Sequence, residues 1–185
     1  MRLLSYNVCW NAMSAKGQYA QTCNVNGVMV CQNNVAALID RNGPYDFVAL
    51  QEASKSRDIQ NKCVNTLVNM TLIHHKSGTE EMALFYDQNK YKLLKGQNQN
   101  DFIIKGEFSP GRPLMIAVFE IMKSGETVCV MNLHPGHGQE ITRLENLISS
   151  GLGNPDVQSI RNTTHVIIMG DMNDPHKGNR FVGFG

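Results

Sequence analysis

Short apolar runs separated by turn residues dominate the chain and predict a fold rich in β-strands. Gly78, Asn89, Gly106 and the Ser124-Gly125 pair lie between these runs, as expected for turns. The short apolar runs in DFVALQ (46–51) and THVIIM (164–169) predict buried strands. The full set of predicted strands is 2–8, 46–51, 71–75, 82–86, 91–95, 102–105, 113–121, 127–133 and 164–169.

Apolar residues at helical spacing predict helices between these strands. One helix is expected from Val30 to a stop at Asn42-Gly43-Pro44, and others over 57–69 and 139–150. Residues 11–29 are polar and predict a long loop, either functional or disordered. Sheets interleaved with helices predict an α/β sandwich, with the sheets in the middle and the helices outside. A length of 185 residues favours one domain, 1–185.

Polar side chains lie at the end of several apolar runs, and this repeated pattern is the main functional signal. A carboxylate directly after a buried strand is held rigidly at the edge of the sheet, where sites tend to form. The residues concerned are Asn7, Gln51, Glu52, Asn132, His134, His137, Asp171, Asn173 and Asp174.

These residue types suit the chemistry of phosphate esters and metal ions. Glu52 and Asp171 supply the hard oxygen ligands that Mg²⁺ or Mn²⁺ prefers. Asparagine side chains can orient a carboxylate or a phosphate oxygen. His134 can donate to a phosphate oxygen or transfer a proton.

Each residue taken alone also has a purely structural interpretation. Asn7 could satisfy nearby backbone groups, and Glu52 could form a surface ion pair or begin a helix. Asp171 could cap a turn, and His134 could form hydrogen bonds in the core. The joint occurrence of these residues in one chain favours a site.

Composition narrows the choice of function. Lys and Arg number 17 against 16 Asp and Glu, and this net charge of +1 argues against a strongly basic, non-specific nucleic-acid binder. An enzyme that contacts a few phosphates stays compatible with this balance. Lys90, Lys92, Lys95 and Lys105 are the only local basic enrichment, and such a run is typical of a solvated surface.

Five cysteines and the N-terminal sequence predict an intracellular, cytoplasmic protein with free thiols. An odd count does not suit a disulfide framework, and a Cys23–Cys31 bridge is the main alternative. The apolar stretch in the opening residues is too short for a signal peptide, and no apolar window is long enough for a membrane span.

The order Asn…Gln-Glu…Asn-Leu-His…Gly-Asp-Met-Asn resembles the endonuclease/exonuclease/phosphatase superfamily over residues 3–174. Segments 5–13, 82–94 and 111–120 resemble further parts of this family, and the chain is most similar to its poorly characterised viral and microbial members. The resemblance implies a deoxyribonuclease I-like fold with four layers, α/β/β/α.

The resemblance also implies roles for the polar residues. Asn7 and Glu52 would form the metal side of the site, with Glu52 the direct ligand of Mg²⁺ or Mn²⁺. Asp171 and Asn173 would activate and position the attacking water, and His134 would face the phosphate.

Two further residues are expected to bind the substrate. Asn132 lies beside the phosphate-facing histidine in the motif, and the guanidinium of Arg112 matches the geometry of phosphate oxygens. The expected function is a metal-dependent phosphoesterase that hydrolyses a nucleic acid or a small phosphorylated molecule by in-line attack of water. The oligomeric state stays open.

The chain departs from the family at its end. Members of the family close with a strand that carries an Asp-His pair, and no such pair follows Asp174. The fold is therefore expected either to be incomplete at the C-terminus or to use His137 or His176 in place of that pair. The alternative function is an inactive or truncated homologue that binds a partner.

Overall fold

Two β-sheets pack face to face and helices cover the outer face of the first. A computed structural model of the chain describes residues 1–96, 99–136, 160 and 162–173. The first sheet has the strand order β1-β4-β6-β5; the second has the order β11-β10-β9-β7, with β8 also paired to β9. The strands are β1 (Leu3–Asn7), β2 (Asn24–Val25), β3 (Val28–Met29), β4 (Phe47–Gln51), β5 (Thr71–Ser77), β6 (Glu80–Tyr86), β7 (Tyr91–Leu93), β8 (Ile103–Ser109), β9 (Arg112–Ile121), β10 (Thr127–Leu133) and β11 (His165–Gly170), and the helices are α1 (Trp10–Met13), α2 (Ala20–Cys23), α3 (Val30–Asn42) and α4 (Ser56–Lys62).

Strand direction brings particular chain ends together at one end of the sandwich. β1 runs parallel to β4 and β10 runs parallel to β11. β6 is antiparallel to β4, and β9 is antiparallel to β10. The C-terminal ends of β1, β4, β10 and β11 therefore lie beside the N-terminal ends of β6 and β9.

Apolar side chains fill three layers of core. One cluster packs the helices against the first sheet, with Ile39 and Leu50 fully buried in it. A second lies between the sheets around Phe47 and Phe119. A third, around Phe108, covers the outer face of the second sheet. Every residue of β4 is buried because the strand is covered on both faces, which explains its continuous apolar run.

The predicted α/β architecture, with two sheets and flanking helices, is confirmed, but the prediction of a loop over 11–29 was wrong. This segment contains α1, a 3₁₀ turn at Gly17–Tyr19, α2 and the β2–β3 hairpin. Met13 and Cys23 are buried in the helix-side core, so packing against that core holds these short elements in place. Elements of two to four residues are too short to give a periodic sequence pattern.

The prediction of free thiols was wrong for one pair of cysteines. Cys23 and Cys31 form a disulfide, with their Cα atoms 4.9 Å apart. The β2–β3 hairpin lies between them and reverses the chain, which brings the two residues together. Cys9, Cys63 and Cys129 are free.

Two helix predictions differ from the structure in extent or in coverage. The helix expected over 57–69 is α4 over Ser56–Lys62, followed by a 3₁₀ turn at Leu67–Asn69. The helix expected over 139–150 lies outside the described residues. Within the described part of the chain, no helix has the length and apolar character needed to cross a bilayer.

Candidate active site

Polar side chains from both sheets converge where the strand ends meet. Asn7 is the last residue of β1, and Glu52 follows β4 directly. His134 follows β10, and Asp171 follows β11. The residues that the sequence placed at four separate strand ends therefore occupy one site.

Asn7 links the two carboxylates of this site. Its amide nitrogen donates to Glu52 Oε1 at 3.0 Å and to Asp171 Oδ2 at 2.8 Å. Its side-chain oxygen accepts the backbone N–H of Cys9 at 3.0 Å. Because one amide holds both acids, the two carboxylates keep a fixed separation across the sheets.

Backbone geometry fixes the direction of Glu52. The residue has a φ of +53°, a conformation that non-glycine residues rarely adopt and that is common at functional sites. The backbone N–H of Trp10 donates to Glu52 Oε2 at 3.1 Å. Asn173, on the opposite side of the site, also has a positive φ of +47°.

His134 is buried between charged side chains, with 1% of its surface exposed. Arg112 Nη1 lies 3.2 Å from His134 Nε2. An arginine can only donate, so Nε2 accepts and the ring proton lies on Nδ1. Nδ1 faces Glu80 Oε2 at 3.5 Å. The arginine and the glutamate therefore fix the ring orientation.

Glu80 was not predicted from the sequence, yet it completes a group of three potential metal ligands. One ligand atom each from Glu52, Glu80 and His134 lies within 4.8 Å of the others. Glu80 Oε2 is buried without a hydrogen-bond partner, as expected for a carboxylate oxygen that can coordinate a cation. His134 Nδ1 is also buried and unpartnered, but it carries the ring proton and is therefore a donor. Glu80 begins β6, and it lies beside the end of β4 because the two strands are antiparallel.

Asp171 and Asn173 form the other side of the site. Burial alone would raise the pKa of Asp171, but the hydrogen bonds from Asn7 and from the Asn173 amide outweigh it, so the pKa lies below its usual 3.8. The carboxylate is thus ionised at neutral pH. The side chain of Asn173 donates to the carbonyl of Pro135 at 2.8 Å, which ties the chain after β11 to the chain after β10.

Asn132 lies below the site and is fully buried. It accepts a hydrogen bond from Gln51 Nε2 at 2.8 Å and donates to the carbonyls of Leu50 and Ala83. These bonds join the second sheet to the first. The placement supports a role in fixing the sheets, and the predicted contact with substrate stays a prediction. His137 and His176 lie outside the described residues.

Comparison with known proteins supports the assignment of the fold. The endonuclease/exonuclease/phosphatase protein of Bacteroides vulgatus superposes with a TM-score of 0.61 at 16% identity, covering 93% of this chain and 65% of that one. A conserved protein of unknown function from Enterococcus faecalis gives 0.64 at 18% identity, covering 94% of this chain and 67% of that one. The chain has the endonuclease/exonuclease/phosphatase fold. This result confirms the resemblance noted in the sequence.

Other matches show how varied the proteins with the endonuclease/exonuclease/phosphatase fold are. D. rerio TDP2, in complex with a single-stranded DNA product, gives a TM-score of 0.58 at 17% identity, covering 94% of this chain and 60% of that one. An uncharacterised protein of Acanthamoeba polyphaga mimivirus is 30% identical over 95% of this chain. The chain spans 35% of the length of that viral relative. No family model matches the sequence.

Proposed function

We propose that the protein is a metal-dependent phosphoesterase that hydrolyses a phosphate ester by in-line attack of water on phosphorus. The observation that carries this proposal is the convergence of Asn7, Glu52, Glu80, His134 and Asp171 at one end of the sandwich. Solved proteins with the same fold include a mannosyl-6-phosphatase and TDP2 with a DNA product, so the fold is compatible with both small and polymeric phosphate esters.

The two carboxylates suit a divalent cation. Glu52 and Glu80 supply the oxygen donors that Mg²⁺ and Mn²⁺ prefer. A bound cation would supply positive charge that stabilises the pentacoordinate phosphorus and the leaving oxygen. The buried, unpartnered Oε2 of Glu80 supports this fit.

The remaining residues have roles that follow from their contacts. Asp171, ionised and held by Asn7, accepts the proton of the attacking water, and Asn173 helps to position that water. Arg112 supplies N–H donors that suit phosphate oxygens, and His134 orients its guanidinium by accepting a hydrogen bond from Nη1. As the new P–O bond forms, the bond to the leaving oxygen breaks. The leaving oxygen takes up a proton from solvent and becomes an alcohol, and the other product is the phosphate.

The direct test compares three proteins on the same substrates. Wild type, Asp171→Asn and Asp101→Asn are assayed with Mg²⁺ or Mn²⁺ on bis(p-nitrophenyl) phosphate, oligonucleotides and inositol phosphates. Asp171→Asn removes one charge without changing side-chain volume, so we expect a loss of activity of about 10²-fold or more. Asp101 is exposed and pairs with Lys95, so its variant is a matched control that we expect to keep full activity.

Full activity of Asp171→Asn on every substrate would contradict the mechanism. No hydrolysis of any substrate by the folded wild-type chain would contradict the proposed function and favour a homologue that only binds a partner.

A further inference from the structure

We propose that the surface formed by Trp10, Lys16, Lys55 and Arg57 binds single-stranded nucleic acid, and that the phosphate ester hydrolysed at the adjacent site is a polynucleotide. We call this surface the Trp10 platform. The inference rests on the proposed function and assigns it a substrate class.

Trp10 lies directly beside the candidate active site. Its backbone N–H donates to Glu52, and its carbonyl accepts the hydroxyl of Ser54 at 3.2 Å. Trp10 is half-buried. The ammonium group of Lys16 lies 5.9 Å from the ring centroid, within the range of a cation–π contact. The platform therefore pairs an aromatic ring with a positive charge.

The loop after Glu52 extends this surface. Ser14 and Ser54 are joined by a 2.9 Å hydrogen bond between their hydroxyls, which holds the loop against the Trp10 segment. Lys55 and Arg57 follow directly, and both are exposed. They line a surface depression of about 270 Å³ together with Ser56, Asp58, Leu72, His74 and Glu81. Glu81 accepts a hydrogen bond from Ser56 at 3.2 Å.

The cations of the Trp10 platform differ in their pairing from three of the four lysines of the basic run noted in the sequence. Lys90 pairs with Asp46 at 2.9 Å, Lys92 with Glu120 at 3.9 Å and Lys95 with Asp101. Within the described part of the chain, Lys16, Lys55 and Arg57 lie beyond ion-pair distance of every carboxylate. Positive charge without a carboxylate partner therefore lies beside the site.

An aromatic ring flanked by cations matches the chemistry of a single strand. Unstacked bases stack on aromatic side chains, and the phosphates on either side contact lysine and arginine. A small phosphorylated molecule would occupy the catalytic residues without needing a second aromatic and basic surface. The net charge of +1 is compatible with this mode, because only a few phosphates are contacted.

Trp10 is the only tryptophan in the chain, so its fluorescence reports directly on this surface. The 185-residue protein is titrated with a single-stranded oligothymidylate in EDTA, where no metal-dependent cleavage occurs. We expect saturable quenching that weakens as salt rises. Lys55→Gln and Arg57→Gln should each reduce the slope of log affinity against log salt by about 0.7.

Anisotropy of a labelled oligothymidylate extends the test to variants that lack the indole. Trp10→Ala should weaken binding by about 5- to 100-fold, and Trp10→Phe should restore most of it. The hydrogen bond to Glu52 uses the backbone, so these variants keep it. Lys123→Gln is the matched control: Lys123 is exposed in the turn at the opposite end of β10 from His134, and we expect its variant to bind like wild type.

Absence of quenching, or equal affinity and equal salt slope in wild type, Lys55→Gln and Arg57→Gln, would overturn the inference. Because Lys55 and Arg57 are exposed, the Lys55→Gln and Arg57→Gln variants still test the inference if a Trp10 variant fails to fold. Oligonucleotide binding without hydrolysis of any phosphate ester would leave the platform standing and overturn the proposed function. Metal-dependent hydrolysis of bis(p-nitrophenyl) phosphate without oligonucleotide binding would overturn the inference and leave the proposed function standing.

Discussion

At the scale of single residues, Gly170 shows how closely the paired strands β10 and β11 approach each other beside the site. Its φ of +153° favours glycine, and a Cβ at this position would collide with the backbone carbonyl of Leu133. Its N–H donates to the hydroxyl of Ser5 at 2.9 Å. The next residue, Asp171, is therefore positioned by a backbone path that only glycine can follow.

Gly170→Ala should both destabilise the protein and displace Asp171. We expect a loss of about 1–3 kcal/mol in the free energy of unfolding, measured by urea denaturation, together with reduced hydrolysis. Gly125 also has a positive φ, +75°, but a Cβ there meets no atom within 4 Å. Gly125→Ala thus controls for backbone strain alone. Equal effects of the two substitutions would show that the close approach at Leu133 has no consequence.

At the scale of elements, Asp40 joins α3 to the chain after α4. Its carboxylate accepts backbone N–H groups from Val64 at 2.6 Å and Thr66 at 2.7 Å, with a longer bond from Asn65. Burial alone would raise the pKa of Asp40, but these backbone hydrogen bonds outweigh it and hold the pKa below its usual 3.8. The folded state therefore favours the ionised carboxylate.

The sign of this pKa shift fixes the pH dependence of stability. Because the folded pKa lies below the unfolded one, the stabilisation is fully present above about pH 4 and is lost as the pH falls through the folded pKa. Asp40→Asn should cost about 1 kcal/mol at pH 7, a modest value because the bonds are partly exposed. Its difference from wild type should shrink below about pH 4 in urea unfolding. A difference that stays constant down to pH 2 would contradict this account.

Some helices and strands could be predicted from the sequence, and others could not. β4, β9 and β10 are covered on both faces, so their apolar runs predict these strands from the sequence alone. The elements within 11–29 depend on contacts that Met13 and Cys23 make with distant residues, and the Cys23–Cys31 pair depends on the hairpin between them. No local pattern contains that information.

At the scale of the whole molecule, the candidate site exists because two sheets end at the same place. The C-terminal strand ends supply Asn7, Glu52, His134 and Asp171. The pattern of polar residues at the ends of apolar runs predicted all four. Glu80 was missed because it lies before the predicted strand 82–86 and begins β6, whereas the predicted site residues follow apolar runs. It reaches the site only because β6 runs antiparallel to β4, and strand direction is a property of the fold that the sequence pattern does not state.

The central claim is that this meeting of strand ends forms a divalent metal centre. Calorimetric titration of Mn²⁺ into wild type, Glu52→Gln, Glu80→Gln and Glu126→Gln tests it most directly. Glu126 is exposed at the opposite end of β10 from His134, so its variant controls for the loss of one negative charge. The account predicts one cation per wild-type chain, affinity at least about 10-fold weaker in the Glu52 and Glu80 variants, and unchanged affinity in the Glu126 variant. Equal Mn²⁺ affinity in all four proteins would contradict it.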